Sequence, residues 1–160
     1  MVGASLVARW KGADVERTAE RMVIAGTLAR CIAVVTDVER YPEWVADLKE
    51  VHVLSRDDEG RPAVVAFRVG AFGRSTSYVL AYDYSNAPAE ISWIQKEGDL
   101  TNRIDGRYRF APLPDGATEV VYELAVELRV PIPNFVKRRA EGHILHAAVR
   151  DLKARVESLP

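Results

Sequence analysis

The sequence predicts an α+β protein in which a curved antiparallel sheet of seven strands surrounds one long C-terminal helix. Residues 47–129 alternate between polar and apolar side chains, a period typical of strands that bury one face. Short turn clusters interrupt this stretch, so consecutive strands should pair as antiparallel hairpins. From Phe135 onward the apolar residues recur at helical spacing instead.

The chain has 160 residues, a length that fits one domain and buries roughly 68–70% of the unfolded chain's surface. We expect residues 1–14 to form a flexible N-terminal leader and residues 15–160 to form the single domain. The leader is not predicted to be a secretory signal, because Arg9 follows its apolar part whereas a signal places basic residues first.

Composition excludes several functional classes. The 22 basic and 23 acidic residues give a net charge of -1, so no basic surplus is available to neutralise a nucleic-acid backbone. Cys31 is the only cysteine, which excludes an internal disulfide and a multi-cysteine metal site and suits a reducing, cytoplasmic location. No apolar run approaches the ~20 residues of a membrane-spanning helix, so we expect no stable membrane insertion.

The first three elements are predicted from local signals. Residues 15–25 mix the charged Arg17, Glu20 and Arg21 with apolar side chains, which indicates a strand that ends at Gly26. Thr27 can cap the short amphipathic helix predicted over residues 27–35, with Cys31 in its buried face. A second short helix is predicted within residues 37–47, beginning at Pro42, because proline is tolerated in a first helical turn.

Five turn clusters divide residues 47–129 into six strands. They are DDEG at 57–60, GAFG at 70–73, SNAP at 85–88, EGD at 97–99 and PLPDG at 112–116. PIPN at 131–134 then ends the sheet, and a long helix follows. Its apolar stripe consists of Leu145, Val149, Leu152, Val156 and Leu159. The predicted order is therefore β-α-α-β6-α.

The curvature of the predicted sheet follows from the element count. Seven strands must bury one face, and only one long helix is available to cover it, so we expect the sheet to curl around that helix as a cup. Hollows of this kind are common sites for small molecules.

Three segments occur in a characteristic order: TDVERYPEWV at 36–45, DGATEVVYEL at 115–124 and VPIPNFVKRR at 130–139. Together they resemble the START and Bet v 1-like (SRPBCC) superfamily, in its polyketide cyclase/dehydrase branch, over about residues 15–159. The resemblance implies the helix-grip fold and a cavity for a hydrophobic ligand. It does not imply an enzyme, because the superfamily contains lipid and quinone binders as well as ring-closing enzymes.

Alternation within the strands predicts which side chains face the inside of the cup. In residues 102–110 the charged side chains share the outer face, and Glu123 and Glu127 of the following strand also face water. A pair between Arg107 and Glu123 on that wet face would contribute about a few tenths of a kcal/mol. The other predicted inward residues are Val65, Thr76, Leu80, Ile91, Ile104, Phe110, Val120, Leu124, Val126 and Leu128.

The predicted ligand-binding residues come from this inward set and from the long helix. They are Phe67, Tyr78, Tyr82, Trp93, Gln95, Asn102, Gly106, Tyr108, Tyr122 and Gly142. Their surface is apolar and aromatic with neutral polar tips. Burying a tyrosine hydroxyl without a partner costs about 1–3 kcal/mol, so we expect water or a ligand to meet these groups.

Two glycines carry a specific expectation about the cavity. Glycine weakens a strand and costs roughly 1 kcal/mol against alanine within a helix, so Gly106 and Gly142 need a compensating role. One interpretation is a close approach between elements. The other is that both keep the hollow open, in which case Gly106→Phe should abolish ligand uptake and leave folding cooperative.

No catalytic residue is predicted. His52 is expected to be solvated beside Glu50, while His143 lies nearly opposite the apolar stripe and His146 lies at its border. No third ligand accompanies the two helical histidines, so no metal site is expected. In the last five of the seven predicted strands, alternation turns no Asp or Glu inward.

The remaining candidate residues flank the predicted cavity. Trp44 is expected to pack over the long helix, with a gate to the cavity as the alternative. Arg138 and Arg139 at the start of that helix are either solvated or able to steer an acidic head group. An enzyme would need a titratable group at the hollow, such as Arg68, Arg103 or His146.

The predicted function is non-covalent binding, for carriage or sequestration, of a hydrophobic small molecule such as a polyketide, a lipid or an isoprenoid quinone. The alternative is a polyketide cyclase, aromatase or dehydratase that acts on a poly-β-ketone chain. No cofactor is expected, and the protein is expected to be a monomer or a homodimer. A purely structural role through an exposed sheet edge has no large apolar patch in the sequence to support it.

Overall fold

The structure, a computed structural model, describes residues 6–9, 16–71 and 73–160. Its strands are β1 (Leu6–Arg9), β2 (Glu16–Ile24), β3 (Leu48–Arg56), β4 (Pro62–Ala71), β5 (Arg74–Asp83), β6 (Glu90–Gly98), β7 (Thr101–Pro112) and β8 (Thr118–Leu128). Its helices are α1 (Leu28–Thr36), a 3₁₀ helix (Val38–Glu43) and α2 (Asn134–Ser158). The order of elements from β2 to α2 is the predicted one.

The strands form one antiparallel sheet in the order β1-β2-β8-β7-β6-β5-β4-β3. Strands β2 to β8 are the seven predicted strands, and they curve around α2 as a helix-grip fold. Strand β1 extends the sheet at one edge by pairing with β2. Leu6–Arg9 was expected to belong to a flexible leader, but its backbone pairs with β2. The rest of residues 1–14 lies outside the described residues.

Local signals explain where the helices begin. Thr27 caps α1, and its side chain accepts a hydrogen bond from the Arg30 backbone N–H at 3.2 Å. The 3₁₀ helix begins at Val38, so the predicted start at Pro42 is wrong. Val38 is 1% exposed, and the need to bury it starts the turn before the proline is reached.

The predicted apolar stripe of helix α2 packs into the core. Leu145, Val149, Leu152 and Val156 are at most 1% exposed and face the sheet, mainly β2 and β8, and also α1. Opposite them, fully buried side chains such as Ile24 come from the inner face of the sheet. This packing leaves the interior over β4 to β7 to be filled by aromatic side chains.

Strand β2 faces the core with its even-numbered residues. Glu20 pairs in register with Tyr122 and Ile24 with Thr118, so these side chains share the inner face. Arg21 and Val23 lie on the outer face, and Val23 is 47% exposed. Charged and apolar residues therefore share this outer face, because odd-numbered residues lie on one side of a strand.

Candidate functional site

An inner aromatic cluster occupies the concave side of the sheet. Trp93 is at its centre, with ring centroids 5.3 Å from Tyr108, 5.6 Å from Tyr122 and 5.8 Å from Tyr82. Tyr108 and Tyr122 meet edge to face at 4.7 Å. The cluster comprises Tyr41, Phe67, Tyr78, Tyr82, Tyr84, Trp93, Tyr108, Phe110 and Tyr122. The inward orientation predicted for the aromatic residues of strands β4 to β8 is therefore present.

Gly106 lies directly beneath the Trp93 indole. A Cβ atom at Gly106 would be 2.4 Å from Cε2 and Cζ2 of Trp93, closer than any side chain tolerates. The expectation that Gly106 keeps the hollow open is wrong, because the indole fills the space that a side chain would need. Gly106 is instead a close-approach glycine, and Gly106→Phe would collide with packed atoms.

Gly142 presents the opposite environment. No heavy atom lies within 4 Å of the position of its Cβ, and the residue is half-buried on α2. Open space therefore borders this turn of the helix, and a ligand-binding role for Gly142 stays a prediction.

All six tyrosines of the chain belong to the inner cluster, and their hydroxyls divide into two kinds. The Tyr41 hydroxyl donates to the Val35 carbonyl, and the Tyr84 hydroxyl donates to the Pro62 carbonyl at 2.6 Å. The hydroxyls of Tyr78, Tyr82, Tyr108 and Tyr122 make no hydrogen bond to any described residue. They nevertheless retain contact with space that water can reach. We call these four the unpaired tyrosines.

Burial keeps the unpaired tyrosines protonated. It raises the pKa of Tyr78 to about 12 and raises the pKa of Tyr82, Tyr108 and Tyr122 above the ordinary value. The nearby phenols strengthen this effect at Tyr82 and Tyr122, because neighbouring phenolates would repel each other. The four hydroxyls are therefore neutral hydrogen-bond donors at neutral pH.

The two kinds of hydroxyl should respond differently to removal. Tyr41→Phe should lower the free energy of unfolding by about 1–2 kcal/mol, because it leaves the Val35 carbonyl without its partner. Tyr122→Phe should leave the free energy of unfolding unchanged or slightly raised, because its hydroxyl has no described protein partner. Urea unfolding measured by circular dichroism would compare the variants, and equal losses would show that the Tyr122 hydroxyl is bonded within the protein.

Two predicted ligand-binding residues do not offer polar groups to the interior. Gln95 faces inward, but its amide donates to the Thr101 carbonyl at 2.9 Å and accepts from the Thr101 hydroxyl at 2.5 Å. Asn102 is exposed, so its predicted inward orientation is wrong. A register shift between Thr101 and Arg103 in β7 inserts one extra residue, and Thr101 takes the buried position instead.

The basic residues named as possible catalytic groups lie away from the interior. Arg68 is 48% exposed beside Glu50, and Arg103 pairs with Asp105 on the outer face of the sheet. His52 and His143 are exposed, as expected.

Glu20 is the inward carboxylate that the sequence analysis missed. Its Oε1 lies 2.9 Å from Nδ1 of His146, whose side chain is 58% exposed, and its Oε2 is buried without a partner among the described residues. The alternation of side chains along β2 could have predicted this position, because Glu20 lies on the same face of the strand as the buried Ile24. The pair joins β2 to α2 at the edge of the core, with His146 largely in solvent.

Three further buried carboxylates were not predicted. Glu141 of α2 accepts a hydrogen bond from the Val126 backbone N–H at 3.0 Å and so ties the helix to β8. Asp105 and Glu123 are 3% and 5% exposed on the outer face, where water was expected to surround them. The side chains of Arg103, Arg107 and Arg109 pair with these carboxylates.

The segment containing the 3₁₀ helix closes one side of the interior. Trp44 packs edge to face on Tyr41 at 5.0 Å, and Tyr41 in turn stacks near Phe67. Arg155 of α2 holds Glu43 at 2.9 Å, and Asp151 accepts the Ala46 backbone N–H at 3.4 Å. Whether Trp44 acts as a gate stays a prediction.

A shallow groove of about 430 Å³ lies on the opposite, outer face of the sheet. His52, Ala66 and Val79 line it, and these residues alternate with the inward residues of β3, β4 and β5. Charged side chains including Glu50, Arg68 and Glu97 surround it. Phe67 and Tyr78 of the inner aromatic cluster are also among its lining residues, so the groove borders the cluster at β4 and β5.

Two further properties concern the described part of the chain. No group of three or more His, Cys, Asp or Glu residues there is arranged to hold a metal ion. No helix there is both long and apolar enough to cross a membrane.

Comparison with known proteins identifies one matching family. The family described as polyketide cyclase/dehydrase and lipid transport matches residues 30–153, which include most of the sheet and α2. No curated protein sequence gives a significant match.

Several solved structures are similar over nearly the whole chain. A START superfamily protein from Mycobacterium smegmatis is 26% identical with a TM-score of 0.85, covering 90% of this chain and 99% of that one. The ZhuI aromatase/cyclase from Streptomyces sp. R1128 is 17% identical with a TM-score of 0.76, covering 88% and 93%. A STAR-related lipid transfer protein from Xanthomonas axonopodis is 12% identical with a TM-score of 0.70, covering 98% and 99%.

Proposed function

The chain belongs to the polyketide cyclase/dehydrase and lipid transport family, and on that premise we propose that it binds a hydrophobic small molecule on the concave side of its sheet. A polyketide, a lipid or an isoprenoid quinone would fit the apolar surface there. The observation that carries the proposal is the set of four unpaired tyrosines, whose hydroxyls have no described protein partner although their rings pack in an aromatic interior.

The energetics of these hydroxyls support a ligand. Each hydroxyl that enters an apolar interior without a hydrogen bond costs about 1–3 kcal/mol, and a fold that needed only a packed core would use phenylalanine at these positions. The hydroxyls of Tyr41 and Tyr84 donate hydrogen bonds to backbone carbonyls. These two tyrosines show that a buried hydroxyl in this fold can be paired within the protein. The unpaired hydroxyls are available to a bound molecule.

Binding is better supported than ring closure. A cyclase needs an acid or base at the reacting carbons, with a pKa near the operating pH. Burial moves the pKa of the unpaired tyrosines away from neutrality, which makes them weak acids. Among the described residues, the histidine nearest the core, His146, is 58% exposed and turned toward Glu20.

Native mass spectrometry of the protein purified from the cells that produce it tests this proposal. We expect a bound mass that solvent extraction releases and that liquid chromatography with mass spectrometry then identifies. The variants Tyr78→Trp and Tyr122→Trp add bulk where the unpaired hydroxyls lie, so each should lower the bound fraction while retaining cooperative unfolding.

The outer groove provides the matched control. Ala66→Trp adds the same bulk on the outer face of β4, where Ala66 pairs with Val79, and it should retain the bound molecule. Loss of binding in Ala66→Trp alone would move the site to the outer face and contradict the proposal. So would a protein that carries no extractable molecule and takes up no hydrophobic probe such as fluorene.

A further inference from the structure

The indole N–H of Trp93 is a hydrogen-bond donor held in a fixed position at the centre of the inner aromatic cluster. Trp93 is 6% exposed, and its side chain is confined by Gly106 on one side and by Tyr82, Tyr108 and Tyr122 around it. A Cβ on Gly106 would lie 2.5 Å from Nε1, so the absence of a side chain there lets this edge of the indole lie against β7.

The Trp93 N–H has no acceptor among the described residues. Nε1 makes no hydrogen bond to them and, like the unpaired hydroxyls, still contacts space that water can reach. A buried tryptophan N–H normally donates a hydrogen bond to an acceptor, because a buried donor without a hydrogen bond is destabilising. The missing acceptor must therefore come from water or from a bound molecule.

No acceptor of the described residues lies within hydrogen-bond distance of the Trp93 N–H. An indole N–H can only donate, whereas each unpaired tyrosine hydroxyl can both donate and accept. The nearest inward side-chain carbonyl, that of Gln95, already accepts from the Thr101 hydroxyl. A ligand that brings acceptor lone pairs without a further donor would match this arrangement best.

We propose that Trp93 selects for ligands that place a carbonyl oxygen beside its indole N–H, so that aromatic ketones and quinones bind in preference to hydrocarbons of the same shape. This inference rests on the proposed function, since it concerns the chemistry of the molecule bound there. A carbonyl oxygen offers two lone pairs to the Trp93 N–H and has no proton of its own that needs an acceptor, whereas a ligand hydroxyl must also place its own proton. The preorganised indole loses little entropy on binding such a group.

Three tricyclic probes of nearly equal shape test the inference. Fluorene, 9-fluorenol and 9-fluorenone carry a methylene, a hydroxyl and a carbonyl at the same ring position. Equilibrium dialysis with chromatographic detection would give their dissociation constants for the full chain. We expect fluorenone to bind about tenfold more tightly than fluorene, the effect of one well-formed hydrogen bond, with fluorenol between them.

Variants of the tryptophans assign the effect to one atom. Trp93→Phe keeps an aromatic ring over Gly106 but removes the N–H, so it should weaken fluorenone binding about tenfold and change fluorene binding by less than about twofold. Trp44→Phe is the matched control and should leave the fluorenone-to-fluorene ratio unchanged. If Trp93→Phe unfolds, benzothienylalanine at position 93 replaces the N–H by sulfur while keeping the shape.

The outcomes separate this inference from the function on which it rests. If fluorene and fluorenone bind equally well, or fluorenol binds most tightly, the carbonyl preference is wrong and the hydrophobic binding site stands. If Trp93→Phe weakens the binding of fluorene and of fluorenone equally, the role of Trp93 is packing and not recognition of a carbonyl. If the unmodified protein binds none of the probes, the proposed function fails together with the inference.

Discussion

Gly106→Ala should lower the free energy of unfolding by about 3 kcal/mol, at the upper end of the usual cost of overpacking a core. The new Cβ would lie 2.4 Å from two carbons of the Trp93 indole. The indole has no simple retreat, because Tyr82, Tyr108 and Tyr122 surround it. Urea unfolding followed by circular dichroism and by tryptophan fluorescence would measure both the loss of stability and the movement of the ring.

Gly142→Ala is the matched control for this substitution. It adds the same methyl group where no heavy atom lies within 4 Å, and it replaces the glycine of a helix by the best helix former. We expect the free energy of unfolding to rise by about 0.5–1 kcal/mol. A Gly106→Ala protein as stable as the unmodified chain would show that the indole does not lie on Gly106.

Arg107→Met should lower the free energy of unfolding by about 3 kcal/mol, because it removes the principal cation from a buried carboxylate. The Glu123 side chain is 6% exposed and pairs with Arg107 and, at 3.3 Å, with the half-exposed Arg109. From the sequence, the Arg107–Glu123 pair was expected to be solvated and to contribute about a few tenths of a kcal/mol. Because Glu123 is buried on the outer face, its carboxylate stays out of contact with water when Arg107 is removed. We therefore expect the loss of the pair to cost more than the loss of an exposed pair.

A double-mutant cycle makes the measurement specific to the pair. Arg107→Met combined with Glu123→Met should recover much of the stability lost in Arg107→Met, because the buried Glu123 charge is removed together with its cation. Recovery is not complete, because Glu90, whose carboxylate lies 3.3 Å from the Arg107 guanidinium, still loses its partner. Arg21→Met is the control, since the Arg21–Glu119 pair is exposed at 3.9 Å and should cost about 0–1 kcal/mol. A coupling energy between Arg107 and Glu123 near zero would support the solvated interpretation.

The buried carboxylates show where alternation along a strand stops being informative. The period of two correctly puts Glu123 on the face opposite Leu124, and that face was then equated with water. Exposure depends on what neighbouring strands place on top of a residue. Here Arg107 lies opposite Glu123, as the sequence predicted, and Arg109 also contacts the carboxylate, a second contact that the sequence did not predict.

Asn102 shows the same limit in the register itself. A bulge adds one residue to β7, and every side chain before it changes face. Thr101 therefore enters the interior and binds Gln95, while Asn102 turns outward. The local sequence contains no signal for this bulge, because it arises from the fit between β7 and β8.

The sequence by itself determined the order of elements, the antiparallel sheet and the stripe of α2. These depend on local properties: the turn residues, the period of apolar side chains and the capping of α1 by Thr27. Most inward aromatic residues follow from the same periods. The hydrogen bonds of their hydroxyls do not follow from these periods. The Tyr41 hydroxyl donates to a backbone carbonyl and the Tyr122 hydroxyl does not, and no local sequence feature distinguishes the two residues. The tertiary structure alone decided that difference, the contact of Trp93 with Gly106 and the inward position of Glu20, because each depends on which atoms distant strands bring within a few ångströms.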